Sequence, residues 1–270
     1  MKYMLISIVT LLVCFGLPAL AISLVAKKKG RKLGVVKTTG WSLLSGILIL
    51  TAVMAVYLGQ YYHAGEKAAA ALKSDDKVKV TNEGAVTLFD GSGTKDALVF
   101  YPGAKVEAAA YAPVLRMIAE QGTDVYLVEM PLHMAVLGSG KAGQIVRSAE
   151  YENWYIGGHS LGGSAASMYA VKHPEQIEGL VLFASYSTSD LPDEIRVLSV
   201  YGSEDGVLNM KAYENAKQYW PEDHDEVVIN GGNHAEMGDY GFQKGDNLAL
   251  IPEETQWQKT AEAVSRWIGE

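Results

Sequence analysis

The chain has 270 residues, 49% of them hydrophobic, and a formal net charge of −8. This is ample apolar material for a full core, and the acidic balance argues against nucleic acid or anionic lipid headgroups as partners. A single cysteine, Cys14, excludes an intrachain disulfide and a cysteine metal cluster. Seven of the 23 basic residues and none of the 31 acidic residues precede Glu66. A basic membrane region joined to an acidic soluble domain is therefore predicted.

Two uncharged stretches, residues 3–26 and 41–62, lie near the start of the chain. Roughly 20 apolar residues cross a hydrocarbon core about 30 Å thick, so each stretch is long enough to span a membrane. Six basic residues in the loop 27–40 are expected to stay in the cytoplasm. The sequence predicts a two-span, multi-pass hairpin over residues 1–63, with the following domain outside the cytoplasm. A signal peptide cleaved at residues 19–21 is the alternative, which the basic loop opposes.

Strand-like and helix-like patterns alternate in the rest of the chain, after a predicted linker at residues 64–77. The soluble domain is predicted to cover residues 78–270. The predicted strands are 78–80, 85–89, 97–101, 125–128, 154–156, 179–183, 197–201 and 226–229. The predicted helices are 107–121, 134–150, 161–172, 210–220 and 253–268, the second of them weak because glycines interrupt it. This order predicts an α/β fold with a mostly parallel central sheet and helices on both faces.

A glycine-flanked serine lies between a predicted buried strand and a predicted helix, in the sequence Gly158-His159-Ser160-Leu161-Gly162. Strand, turn and helix are the context that a nucleophile elbow requires, with the serine in a tight and strained turn. Gly158 and Gly162 lack the Cβ atoms that would clash in such a turn. The first amides of the helix also point toward developing negative charge. Ser160 is therefore the candidate nucleophile.

With this motif, the region from residue 78 to the C-terminus resembles the α/β-hydrolase superfamily. The resemblance is strongest to the small capless esterase-like branch, which includes relatives of dienelactone hydrolase. It implies a catalytic triad in the chain order serine, acid, histidine. Asp205, in the loop after strand 197–201, matches the acid, and Glu204 is the fallback. His234, in the glycine-flanked loop after the last strand, matches the base.

Other residues are alternative candidates for the base or are predicted to form the oxyanion hole. His133 lies at the C-terminal end of a strand and is the rival base. His159 adjoins the serine, but its side chain is expected to point elsewhere. The resemblance also implies an oxyanion hole made of two backbone amides, from Leu161 and from the loop after strand 97–101. Ala104 is the predicted donor in that loop, with Lys105 as the close alternative.

The expected function follows from these residues and from what the sequence lacks. Residues 185–194 are too few for the helical cap that larger relatives insert there, so an open site for small or surface-exposed esters is expected. The sequence contains no convincing metal-ligand spacing or phosphate-binding loop, so neither a cofactor nor a metal is expected. We expect a membrane-anchored serine carboxylesterase that forms an acyl-serine intermediate. The alternatives are an acyltransferase or amidase with the same triad, and a non-catalytic interaction module.

Overall fold

The chain forms two compact units, residues 1–60 and 61–270. The structure is a computed structural model that describes residues 12–30, 34–93 and 95–270. The described part of the first unit contains a π-helical turn at Leu12–Gly16, helix α1 at Leu17–Lys28 and helix α2 at Val35–Gly59. Among the described residues, one helical stretch, Val35–Tyr57, is long and apolar enough to cross a membrane.

The limits of this apolar helix differ from the predicted span 41–62. α2 begins at Val35 and ends at Gly59, so Tyr61 and Tyr62 lie outside it. Tyr62 instead forms a parallel β-bridge with Val106 in the second unit, a contact that no local pattern reveals. The other predicted span, residues 3–26, lies partly outside the described residues, and its described part is helical.

The second unit alternates strands and helices. Its strands are β1 (Lys79–Glu83), β2 (Val86–Asp90), β3 (Asp96–Tyr101), β4 (Thr123–Val128), β5 (Asn153–His159), β6 (Gly179–Phe183), β7 (Arg196–Gly202) and β8 (His224–Ile229). Its α-helices are α3 (Glu66–Ala71), α4 (Ala112–Ala119), α5 (Ala142–Ser148), α6 (Leu161–Lys172), α7 (Met210–Ala216) and α8 (Glu253–Ile268).

The eight strands form one sheet in the order β1-β2-β4-β3-β5-β6-β7-β8. β1 and β2 pair antiparallel with each other, β2 pairs antiparallel with β4, and the remaining neighbours are parallel. The predicted mostly parallel α/β fold is confirmed. Because the carboxyl ends of parallel strands meet at one edge of a sheet, the loops after β3, β5, β7 and β8 lie along the same edge.

Both faces of the sheet are covered, which explains why β3 and β6 read as continuous apolar runs. One face packs against α4 and α8, through fully buried side chains such as Leu115 and Trp257. The other packs against α5 and α6, through residues such as Ile145 and Ala165. The sheet is therefore a rigid support for the loops at its carboxyl edge.

Three predicted helices are shorter than the sequence pattern suggested, and the one predicted over residues 210–220 is α-helical only at Met210–Ala216. The weak helix predicted over residues 134–150 is α5 alone, preceded by 3₁₀ turns at Pro131–His133 and Ala135–Leu137. The helix predicted over residues 107–121 starts as a 3₁₀ turn and becomes α-helical at Ala112, with Pro113 in its first turn. Proline is well suited to that position because its missing N–H has no partner there anyway.

Candidate active site

Ser160 lies in the turn between β5 and α6, with φ 53° and ψ −123°. A positive φ is rare for a residue with a Cβ atom and costs of order 1–3 kcal/mol, so surrounding contacts must hold it. The Ser160 amide donates to the Phe183 carbonyl at 2.9 Å, and its carbonyl accepts from the Ser185 hydroxyl at 2.6 Å. The sheet thus holds Ser160 in the strained conformation that the motif predicts.

The two flanking glycines allow this turn to lie directly against the end of β3. A Cβ atom on Gly158 would lie 2.6 Å from the Tyr101 carbonyl oxygen. One on Gly162 would clash with the carbonyl oxygens of both Tyr101 and Pro102. These neighbours are backbone atoms, which cannot move aside without distorting the sheet edge. The glycines therefore bring the start of α6 against the loop after β3.

Asp205 and His234 meet at the carboxyl edge of the sheet. His234 Nδ1 lies 2.8 Å from Asp205 Oδ2, and each side chain is only 1% exposed. Asp205 Oδ1 accepts two further hydrogen bonds, from the amides of Val207 at 2.8 Å and Leu208 at 2.7 Å. Both carboxylate oxygens are thus engaged, which fixes the carboxylate and directs the other histidine nitrogen, Nε2, away from it. That nitrogen is buried and has no hydrogen-bond partner within the described part of the chain.

The fallback acid and the rival base lie in other surroundings. Glu204 Oε1 accepts from the neighbouring Ser203 hydroxyl at 3.0 Å and is not bonded to a histidine. The His133 ring stacks on the Tyr61 ring, with centroids 3.9 Å apart. In this geometry the carboxylate that orients His234 belongs to Asp205.

The loop after β3, residues 102–107, contains the candidate oxyanion donors, and most of its amides are already hydrogen-bonded. Gly103 N–H donates to the Tyr111 hydroxyl at 3.1 Å, and Lys105 N–H donates to the His133 carbonyl at 2.8 Å. Within the described residues, Ala104 N–H has no acceptor. Leu161 is the first residue of α6, so its amide has no carbonyl partner within the helix. Of the two alternatives, the geometry favours Ala104 over Lys105.

Comparison with known proteins places this arrangement in a family. The sequence profile described as the alpha/beta hydrolase family matches residues 97–258, which contain the serine, the acid and the histidine. The chain belongs to the α/β-hydrolase family. A search of curated protein sequences gave no match.

Solved structures agree with this hydrolase in fold at low sequence identity. One is MGS-MChE2, an α/β-hydrolase enzyme from a lagoon-sediment metagenome of Mar Chica, with TM-score 0.53 and 19% identity, covering 71% of this chain and 98% of that one. Est1E from Butyrivibrio proteoclasticus has TM-score 0.51 and 12% identity, with 72% and 100% covered. Dienelactone hydrolase from Anabaena variabilis has TM-score 0.51 and 15% identity, with 72% and 97% covered.

His159 has a place in the hydrolase site that the sequence did not predict. Its ring lies against the His234 ring, with centroids 4.4 Å apart, rather than pointing elsewhere. His159 Nδ1 is 2.7 Å from the Tyr111 hydroxyl. The same hydroxyl accepts from the Gly103 amide at 3.1 Å. A buried chain of hydrogen bonds thus runs from the β3 loop to the imidazole beside His234.

Two more residues missed by sequence reasoning hold the acid and histidine loops together. The Asp246 carboxylate accepts from the Gly206 amide at 2.9 Å and from the Ala235 amide at 2.7 Å. The Gln256 side chain accepts from the Asn233 amide at 2.9 Å and donates to the Asn233 carbonyl at 2.8 Å. Both act on backbone atoms far away in sequence, so no motif could have identified them.

The buried His159 predicts a pH-dependent stability for the hydrolase. Burial lowers the pKa of His159 well below its usual value, and the nearby His234 lowers it further. Below about pH 6.5 the unfolded chain therefore binds a proton that the folded chain does not. We expect the free energy of unfolding to fall with decreasing pH in this range, with His159 contributing up to about 1.4 kcal/mol per pH unit. Chemical denaturation of the full chain in detergent, followed by tryptophan fluorescence, measures this dependence.

His159→Gln keeps a neutral polar side chain and removes the titration, so its free energy of unfolding should vary less steeply between pH 6.5 and 5. His173→Gln, at a partly exposed histidine just after α6, is the matched control and should keep the wild-type slope. Equal slopes in His159→Gln and the wild type would show that protonation of His159 does not lower the free energy of unfolding.

Proposed function

We propose that this α/β-hydrolase is a membrane-anchored serine carboxylesterase that works through an acyl-serine intermediate. The observation that carries the proposal is the buried, hydrogen-bonded Asp205–His234 pair, packed through His159 against the strained turn that presents Ser160. A nucleophile, a base and a residue that orients the base are the three parts that nucleophilic acyl transfer requires.

The first half of the proposed reaction forms the acyl-enzyme. Ser160 Oγ attacks the ester carbonyl carbon while His234 Nε2 takes the hydroxyl proton. The carbonyl oxygen becomes an oxyanion, which accepts hydrogen bonds from the amides of Ala104 and Leu161. The tetrahedral intermediate then expels the alcohol, which receives the proton held by His234. Asp205 stays ionised throughout and stabilises the imidazolium that forms.

The second half releases the acid. A water molecule attacks the acyl carbon and gives its proton to His234, and the same two amides hold the second oxyanion. Ser160 regains its proton as the carboxylic acid leaves. Hydrogen bonds between serine and histidine are often long in unliganded sites and shorten when substrate binds, so an unpartnered Nε2 is compatible with this sequence of steps.

The proposed substrates are small esters or ester bonds that project from a larger surface. The segment between β6 and β7, residues 184–195, contains no helix, so it supplies no cap over Ser160. A site without a cap from this segment suits an acyl group that does not need to be enclosed. No cluster of three or more metal-ligating side chains occurs among the described residues. The proposed steps need only this chain's own groups and water.

The proposed localisation is the cell membrane, with two spans and the hydrolase unit outside the cytoplasm. The apolar stretch Val35–Tyr57 and the basic residues that precede it in the sequence support this topology. Protease added to intact cells should then digest the hydrolase unit. Its complete protection until the cells are lysed would reverse the proposed orientation.

The esterase proposal is tested on the full chain in detergent, with p-nitrophenyl esters of increasing acyl length and a fluorophosphonate probe. We expect turnover that is fastest on short esters, and a probe adduct on the peptide that contains Ser160. Labelling without turnover, together with acyl transfer to added amines or alcohols, would show that the enzyme is an acyltransferase and not an esterase. A folded protein with neither labelling nor turnover would contradict the enzyme and favour a binding module.

A further inference from the structure

The residues that join the two units along the chain are hydrogen-bonded to the loop that holds Ala104. We call residues 61–65 the strap and residues 102–107 the β3 loop. Tyr62 N–H donates to the Lys105 carbonyl at 2.7 Å, and Glu107 N–H donates to the Tyr62 carbonyl at 2.9 Å. Ala64 N–H donates to the Glu107 carboxylate at 3.0 Å. The strap therefore forms an isolated parallel β-bridge with the β3 loop, between Tyr62 and Val106.

These bonds hold Lys105 on both sides. Its carbonyl accepts from Tyr62, and its amide donates to the His133 carbonyl at 2.8 Å. The Tyr61 ring stacks on the His133 ring, with centroids 3.9 Å apart and planes at 28°. The strap therefore supplies one hydrogen-bond partner of Lys105, Tyr62, and packs against the other, His133. Lys105 has φ 59°, a conformation that a non-glycine residue keeps only when its surroundings hold it. The residue directly before it is Ala104, the candidate oxyanion donor.

The same part of the chain also contacts the loop that follows His234. Gly65 N–H donates to the Asp239 carbonyl at 2.8 Å, and Ala68 N–H, in α3, donates to the Asp239 carboxylate at 2.8 Å. The Tyr62 ring lies 5.6 Å from the Tyr240 ring. The strap thus connects the β3 loop to the histidine loop, which supply the oxyanion donor and the base of the proposed reaction.

We propose that the strap is a positioning element of the active site, which sets the distance between the Ala104 amide and the reacting carbonyl. The inference rests on the proposed esterase function. A misplacement of about 1 Å can cost on the order of 100-fold in rate, so a loosened β3 loop lowers the rate even though Ser160, Asp205 and His234 are intact. The catalytically competent unit then begins at Tyr61, and the strap does more than connect the two units.

The test uses the full chain in detergent and the variant Tyr61→Ala/Glu107→Ala, which removes the ring stack and the carboxylate acceptor. We expect kcat to fall by about 10-fold with KM within about 2-fold, because the oxyanion contact is stronger in the transition state than in the ground state. The pH dependence of kcat should keep its shape, since the Asp205–His234 pair is untouched. Amide hydrogen exchange in residues 103–107 should accelerate.

Two further variants separate positioning from general damage. Tyr61→Phe/Glu107→Gln keeps a stacking ring and a carbonyl acceptor for Ala64 N–H, and it should restore most of kcat. Glu66→Ala removes an exposed carboxylate one residue after the strap, and it should behave as the wild type. All variants are compared at equal folded fraction, measured by thermal unfolding.

Wild-type kcat in Tyr61→Ala/Glu107→Ala, alongside faster exchange in residues 103–107, would overturn the proposal. An equally large fall in kcat in Tyr61→Phe/Glu107→Gln would also overturn it. A wild-type protein that neither turns over esters nor reacts with the probe would contradict the esterase function instead. In that case, unchanged exchange of residues 103–107 in Tyr61→Ala/Glu107→Ala would still overturn the role of the strap.

Discussion

Replacing Ser160 by alanine is expected to lower kcat on short esters by about 10⁶-fold, to the rate that the remaining groups achieve with water. Alanine lacks the hydroxyl that forms the acyl-enzyme, while the amides of Ala104 and Leu161 are unchanged. Steady-state turnover of p-nitrophenyl acetate and labelling by a fluorophosphonate both measure the loss. Because alanine is smaller than serine, the turn should keep its conformation and the variant should fold.

A matched control separates this effect from the loss of any serine hydroxyl. Ser189 is exposed in the loop between β6 and β7, and Ser189→Ala should keep both turnover and labelling. Equal activity in Ser160→Ala and the wild type would remove Ser160 as the nucleophile. Probe labelling that persists in Ser160→Ala would assign the reactive group to another side chain.

Replacing Asp205 by asparagine is expected to lower kcat by about 10⁴-fold. Asparagine is nearly isosteric, and its carbonyl oxygen still accepts from the amides of Val207 and Leu208, so the loop should be retained. The NH₂ group, however, would face His234 Nδ1 as a donor. The histidine would then have to place its proton on Nε2, the nitrogen that must accept the serine proton, and the imidazolium would lose its counter-charge.

Glu204→Gln is the matched control, because it neutralises the adjacent carboxylate, which accepts a hydrogen bond from the Ser203 hydroxyl. We expect its kcat to stay within about 2-fold of the wild type, because the half-buried Glu204 carboxylate accepts from Ser203 and is not bonded to His234. A large fall in kcat in Glu204→Gln with little fall in Asp205→Asn would make Glu204, and not Asp205, the acid of the triad. Equal and small losses would show that the histidine needs neither carboxylate.

Strong local patterns in the sequence were sufficient to predict the strands and most of the helices of the hydrolase unit, though not all of their limits. The buried strands β3 and β6 are continuous apolar runs, and a strand followed by GHSLG and a helix already predicts the strained serine turn. Both patterns involve residues close together in the chain. Residues 134–150 lacked such a pattern because glycines interrupt the apolar spacing, and there the helix is confined to α5.

Predicting the site residues other than Ser160 required the family resemblance, and their arrangement required tertiary contacts. Asp205 and His234 are 29 residues apart, and only the parallel order of β7 and β8 brings their loops together. The order of the triad in related proteins predicted the two positions, but the 2.8 Å hydrogen bond between them is a property of the folded sheet. Side-chain direction was harder still, since the His159 ring is oriented by Tyr111, 48 residues earlier.

By itself, the sequence determined the alternation of strands and helices, the serine turn and an apolar stretch near the N-terminus, predicted at residues 41–62. These features depend on propensity and periodicity, which act over a few neighbouring residues. Only the tertiary structure distinguishes Ala104 from Lys105 as candidate donors, because the Lys105 amide is hydrogen-bonded to the distant His133 carbonyl. It also decided that residues 61–65 pair with the β3 loop. Such contacts require a specific backbone partner from far along the chain, and no local pattern encodes which partner the fold will supply.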